Sequence, residues 1–431
     1  MTEYAVYALV LFALGAYVVL DGYDLGIGIL TLFDRDHERR RRHTELVATV
    51  WDANESWIVL VGVLLWGALP GAYATVLPGA YLPLITMLLA FVLRGVGLEL
   101  QSAAADYRRG WSTLFGAASL LVTLCQGLVI GTVLSGLPNR GGVFDGNALH
   151  WFSPYSIGCA LGLTVLYALA GAAWLQTKTE GGSRDRAARL GRPLLLATGA
   201  AALALGLCLT SADPQRLQLG QPLRVTLFGL AVAAALVCGA IAWYGFGRRP
   251  DVRPFAAVLG AEVAGLLALA AVTAPVVVPP DLTVAAAASP HGSQLFVLIG
   301  VGGCMPVVLA YNTYAWWVFR GKYREQQAAV GLPAPAAPAA EIAPTPPPVA
   351  VSALRTTATV LRRTALTVLG IAVAAVAQDV FGAHGTWIGP LGICLAGAVS
   401  VTAWVVSDRR SAADGTFGTV ETAGTGSDTR R

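Results

Sequence analysis

Four carboxylates interrupt two otherwise apolar runs of this chain. Asp21 and Asp24 close the first run, in Asp21-Gly22-Tyr23-Asp24. Asp52 and Glu55 open the second, in Trp51-Asp52-Ala53-Asn54-Glu55-Ser56-Trp57. An ionisable group in hydrocarbon costs roughly 2.5–3.5 kcal/mol on insertion scales. Such groups persist where they have a partner or a use, and the chemistry open to a buried carboxyl is taking up and passing on protons. The acids of each pair are three residues apart, so in a helix they share a face.

The elements that position these acids must be membrane helices. Of 431 residues, 55% are hydrophobic and 13% are charged, against about 25% charged in soluble domains. A bilayer core of about 30 Å takes about 20 apolar residues of helix. On that measure spans fall at 4–30, 46–69, 78–98, 112–135, 154–176, 193–211, 224–246, 255–278, 294–319, 364–381 and 387–407. The first run lacks a basic leader and is too long for a signal peptide, so it is expected to remain as a spanning helix. The fold class is an all-α polytopic membrane protein: a nine-helix body plus two extra C-terminal transmembrane helices.

Basic residues set the orientation. Arg35 and Arg39 to Arg42 fill the first loop, and Lys178, Arg184, Arg186, Arg189 and Arg192 the fifth. The even-numbered loops hold only Arg140, Arg216 and Arg224. The positive-inside rule then puts the odd loops in the cytoplasm, the N-terminus outside and the C-terminus inside.

This orientation brings the charges of three antiparallel spans to one level near the cytoplasm. Asp21 and Asp24 end span one, Asp52 and Glu55 begin span two, and Arg94 and Glu99 lie late in span three. Arg94 is the natural counter-ion, and Arg94 with Glu99 and one aspartate reads as an ion-pair network pinning helices together. Five acids face one base, however, so at least one carboxyl is left to exchange protons. Asp52, Glu55, Asp21 and Asp24 are the proton-pathway candidates. Glu262 is a further buried acid within span eight, without a basic residue in that helix; it is either neutral or turned toward a partner subunit.

Other features are plainer. Gly22 and Gly26 form a small-xxx-small pair suited to close helix approach. Trp51 and Trp57 read as interfacial anchors or as redox residues. The six cysteines fall singly in apolar runs and suit buried small hydrophobes. All five histidines lie in loops or at helix ends, so the chain alone lacks the intramembrane ligands a haem needs. No metal motif, phosphate loop or nucleophile elbow is present.

Four blocks then carry a resemblance. GYDLGIGIL at 22–30, WDANESW at 51–57, PGAYATVLPGAYLPL at 70–84 and LRGVGLEL at 93–100 together resemble subunit II of the cytochrome bd quinol oxidases. SQLFVLIGVGGCMPVVLAYNTYAWWVF at 293–319 is similar to the same family. The resemblance is dense over 1–110, looser through 111–290, and returns in span nine. It implies a heterodimer with subunit I of like fold, which holds two b-type haems, haem d, the quinol site and the oxygen site. It implies no cofactor bound by this chain alone, and a bacterial cell membrane location. It also implies that Asp52, the acid of the W-D motif, helps deliver cytoplasmic protons while quinol is oxidised and O2 is reduced to water.

The expected domains are a body over 1–330, a Pro/Ala-rich cytoplasmic linker over 331–363, a two-span appendage over 364–407 and a disordered cytoplasmic tail over 408–431. The appendage departs from the family, which usually stops soon after span nine. A small accessory subunit, lipid and quinol are further candidate partners; nucleic acid is not. Two other readings remain open: a proton-coupled secondary transporter, which should show repeat symmetry and broken helices, and a purely structural membrane scaffold.

Overall fold

The computed structural model describes residues 2–48, 50–103, 108–212, 221–247 and 252–318. The chain divides into Met1–Pro333 and Ala334–Arg431. The linker 331–363, the spans at 364–381 and 387–407 and the tail 408–431 lie outside the described residues.

The helices run in chain order as α1 (Thr2–Leu32), α2 (His37–Val47), α3 (Trp51–Ala68), α4 (Pro70–Gly79), α5 (Tyr81–Ala103) and α6 (Arg108–Ser135). A hairpin of β1 (Asn139–Arg140) and β2 (Val143–Phe144) follows. Then come α7 (Pro154–Lys178), α8 (Gly181–Ala212), α9 (Pro222–Gly245) and α10 (Arg253–Thr273). A second antiparallel pair, β3 (Val276–Val278) and β4 (Leu282–Thr283), leads through α11 (Val284–Ala287) to α12 (His291–Val318). Eight described helices are long and apolar enough to cross a membrane, or nine when the bent pair Glu38–Val47 and Trp51–Ala68 counts as one.

Four spans differ from the sequence expectation. The helix expected at 193–211 begins at Gly181 as α8, so Arg184, Arg186, Arg189 and Arg192, expected in the fifth loop, lie in its first turns. The other three each differ for a local reason. The span expected at 46–69 starts at Trp51, after a 55° bend from α2. Six of the eleven residues of α2 are charged, and Asp36 caps it by accepting from the backbone N–H groups of Glu38 and Arg39, so α2 lies outside the apolar part of that bent pair. The span expected at 78–98 is preceded by α4, opened by Pro70 at its first position, where no N–H is needed; it breaks at Ala80 and continues as α5. The span expected to reach 278 stops at Thr273. Pro275 lacks the N–H to continue it and biases Ala274 to the extended backbone it adopts, and the next residues pair as β3.

The centre of the bundle is α1, which packs against α3, α6 and α7. Its last turns are buried all round, from Asp21 through Ile29. The approach of α7 depends on glycine. A Cβ at Gly26 would overlap the Tyr167 carbonyl, and one at Gly171 would come within 2.6 Å of the Gly26 carbonyl carbon. Backbones therefore touch where α1 crosses α7, as small-residue membrane interfaces allow. At the opposite end the two hairpins join through Leu137 N–H to the Pro279 carbonyl at 2.8 Å and the Asn139 amide to Asp281 at 2.9 Å. Apolar side chains on α8, α9 and α12, among them Leu203, Leu236 and Phe296, face outward, as suits helices that meet lipid or another membrane chain.

Candidate functional site

The acid-bearing ends of α1, α3 and α5 meet. Arg94, fully buried on α5, donates from Nη2 to Asp21 Oδ1 at 2.8 Å and from Nη1 to Glu55 Oε2 at 3.0 Å. Asp21 is as buried as Arg94, while the Glu55 side chain keeps 19% of its exposure. One guanidinium thus ties the end of α1 to the start of α3.

Asp24 lies one helical turn beyond Asp21 and is also fully buried. Its partner is an amide rather than a cation: Asn54 Nδ2 donates to Asp24 Oδ2 at 2.7 Å. The same nitrogen lies 3.1 Å from both the Tyr23 hydroxyl and the Leu20 carbonyl. Asn54 begins the buried stripe of α3, which continues through Trp57, Val61, Leu64 and Ala68. On the other side of Asp21, one turn earlier on α1, the Tyr17 hydroxyl accepts from Gln126 Nε2 of α6.

Hydrogen bonding in the cluster is incomplete. Asp21 Oδ2, Asp24 Oδ1 and Arg94 Nε are buried with no partner among the described residues. Buried polar atoms are ordinarily paired, so each such atom calls for a role. Three carboxyls around one guanidinium cannot all be neutralised by it. The arrangement can hold a proton on one acid or another and shift it between them.

The expected site residues divide accordingly. Asp21, Asp24, Glu55 and Arg94 come together. Asp52, in the first turn of α3, is exposed and within electrostatic range of Glu55. Glu99 is exposed on α5, five residues beyond Arg94 and so about 140° round the helix; Arg94 bonds Asp21 and Glu55. Glu262 is buried on α10, apart from the Arg94 ion pairs. The two tryptophans pack against neighbouring helices. Trp57 is buried edge-on to Phe12 at 5.9 Å, and the Trp51 ring lies on α5 where a Cβ at Gly95 would meet it at 2.9 Å. The sequence reading passed over Asn54, Tyr17 and Gln126.

Outside the spans, α2 is held by its own charges. Burial opposes ionisation of Asp34, but Arg39, bonded at 2.5 Å and 2.9 Å, and the Asp36 N–H outweigh it and hold the carboxyl below its usual range. His43 is buried, both ring nitrogens lack partners among the described residues, and desolvation pushes its pKa down to about 4. It lines a cavity of about 330 Å³ with Asp34, Arg186 and apolar residues of α1, α7 and α8.

A family model described as cytochrome bd terminal oxidase subunit II matches residues 2–319. "Cytochrome bd ubiquinol oxidase subunit 2" of Bacillus subtilis is 25% identical over 327 residues, 72% of this chain and 94% of that protein. "Probable cytochrome oxidase subunit 2" of Haemophilus influenzae is 27% identical over 215 residues, which span 48% of this chain and only 57% of the relative. A chain of the bd oxidase structure from Geobacillus thermodenitrificans superposes with a TM-score of 0.61 at 16% identity, covering 74% of this chain and 98% of that one. At that identity the likeness is one of fold.

Proposed function

Since the chain belongs to the cytochrome bd terminal oxidase subunit II family, we propose that it is the subunit of a quinol-oxidising, O2-reducing membrane complex that carries no haem ligands, and that its acidic cluster passes cytoplasmic protons toward the oxygen site of a haem-bearing subunit I. The observation that carries this reading is the buried trio Asp21, Asp24 and Glu55 around Arg94, with one oxygen of each aspartate unpartnered.

Exposure falls in steps along the proposed route. Asp52 is open at the start of α3, Glu55 is partly covered, and Asp21 and Asp24 are sealed. A proton taken up at Asp52 would pass to Glu55 and then to Asp21. Arg94 holds Glu55 and Asp21 on one guanidinium, and its charge stabilises whichever of them is ionised. Asn54 fixes Asp24 beside them. The arginine-rich loops support an orientation with this end of the bundle in the cytoplasm.

Haem belongs to the partner in this reading. Among the described residues, His150 bonds the Gly136 carbonyl, His291 bonds the Thr2 hydroxyl, and His43 lies in the polar helix α2. These partners support leaving haem to subunit I, and no step on this chain runs through a haem. Quinol and the oxygen chemistry are likewise assigned to subunit I.

The test is affinity purification of the tagged chain from its native membrane. A haem-bearing partner and quinol-driven O2 consumption are expected in the eluate. Recovery of the chain alone from gently solubilised membranes that retain this activity would overturn the assignment.

A further inference from the structure

Glu262 is not part of the route above. It sits midway along α10, 4% exposed, and neither carboxyl oxygen has a hydrogen-bond partner among the described residues. A bare carboxylate in such a place would cost several kcal/mol, whereas a carboxylic acid would not. No described basic group is hydrogen-bonded to it. From α9, Cys238 stands beside Gly260, two residues away.

The neighbour that matters is on α7, which packs against both α10 and α1. Tyr167 is fully buried, and its hydroxyl is also unpartnered among the described residues. Phe255 of α10 packs on Trp174 of α7 at 4.8 Å between ring centroids, and seven residues, about two turns, along each helix from that contact stand Glu262 and Tyr167. Its ring packs on α1 at Gly22, where a Cβ would come within 2.8 Å of Cε1, so Gly22 is what lets the phenol reach between the helices. Tyr17 completes the junction, in electrostatic range of both Asp21 and Tyr167. Two unsatisfied buried groups therefore stand at one level of the facing helices, and the ring of the second packs at Gly22, next to Asp21. A phenol both donates and accepts, which is what a relay between two carboxyls needs.

We infer that Glu262 is a second proton-exchanging carboxyl, joined to Asp21 through the Tyr167 hydroxyl. In the transfer, Glu262 gives its proton toward the phenol oxygen as the phenol proton moves toward Asp21. One O–H bond breaks and one forms at the phenol, Asp21 gains the proton, and Glu262 is left as carboxylate until the reverse step restores it. The phenol makes no direct hydrogen bond to either carboxyl at rest, so each transfer requires the phenol to move or a water to enter. The inference rests on the proton-handling reading of the cluster and adds to it a buried site on α10 where a proton can wait.

The test is infrared spectroscopy of the full chain, with the partner it carries through purification, at rest and without quinol. A carboxylic-acid band present in wild type and lost in Glu262→Gln identifies the group. Transfer into D2O should shift the band, and Tyr167→Phe should slow that exchange by on the order of tenfold or more, since positioned proton carriers contribute about 10²-fold or more to a transfer step. Tyr7→Phe, a phenol elsewhere on α1, should leave exchange unchanged. Should Tyr167→Phe not assemble, Glu262→Asp draws the carboxyl back by one methylene and should slow exchange while keeping an acid band. No band assignable to Glu262 would overturn the proposal, as would exchange at the wild-type rate in Tyr167→Phe or, failing that variant, in Glu262→Asp. Because the measurement is made without turnover, it stands whether or not Asp52 proves to be the entry site.

Discussion

Replacing Arg94 by methionine should destabilise the protein severely. Arg94→Met keeps an unbranched side chain of similar reach but removes both ion pairs, at 2.8 Å to Asp21 and 3.0 Å to Glu55. It leaves Asp21, Asp24 and Glu55 clustered with no cation between them, two of the three fully buried. Removing one member of a buried ion pair costs about 3–5 kcal/mol, mostly the desolvation of what remains. At about 2 °C per kcal/mol, the low end of the range for chains of 150–250 residues, the unfolding midpoint should fall by roughly 6–10 °C. Tryptophan fluorescence of the detergent-purified protein during a thermal ramp reads this, because Trp51 and Trp57 lie on α3 beside the cluster. Arg94→Met/Asp21→Leu should recover part of the loss, since an apolar substitute for a buried pair is often tolerated. Glu99→Gln, on the exposed side of α5, should cost less than about 1 kcal/mol. A midpoint for Arg94→Met within about 2 °C of wild type would refute the reasoning.

Three further outcomes follow from other parts of the fold. His43 titrates at about 4 when folded against 6.5 in the open chain; below 6.5 the unfolded state binds a proton the folded state refuses. Stability should thus fall between pH 6.5 and 4, by up to about 3 kcal/mol, and His43→Phe should flatten that slope in denaturation midpoints measured across pH. Gly26→Ala should force α1 and α7 apart and lower the yield of folded protein, at a cost of about 1–3 kcal/mol or more; Gly62→Ala, with open space around it, should not. Truncation after Pro333, the boundary of the first unit, should leave the body inserted and bound to its partner in pull-downs.

The membrane architecture was legible in the sequence because hydropathy in runs of about 20 residues is a direct response to the bilayer. The cluster was legible in part. Carboxylates three apart at facing helix ends announced Asp21, Asp24 and Glu55 as neighbours, but which acid Arg94 would choose depends on helix rotation. Glu99 is near Arg94 in sequence yet turned away from it, while Glu55 reaches it across the α3–α5 interface. Asn54 was hidden inside a motif noticed for its charges; its place at the head of the stripe 54, 57, 61, 64, 68 was the signal that it faces inward. The 55° break before Trp51 was blurred because the apolar run starting at Leu46 crosses it. Tyr167 was not visible as a relay at all, since nothing in α7 alone reveals that Gly22 makes room for a phenol between α1 and α10.

The most direct measurement of the central claim is quinol-driven O2 consumption by Asp52→Asn, read beside the yield of assembled complex. The substitution keeps the shape of an exposed first-turn side chain and removes its exchangeable proton, so the fold should be unaffected. If Asp52 feeds Glu55 and the buried aspartates, turnover should fall on the order of 10²-fold, the usual effect of losing a positioned proton carrier, with the complex assembled in normal amount. Wild-type turnover by a fully assembled Asp52→Asn complex would contradict the claim and leave the cluster as an ion-pair clamp between α1, α3 and α5.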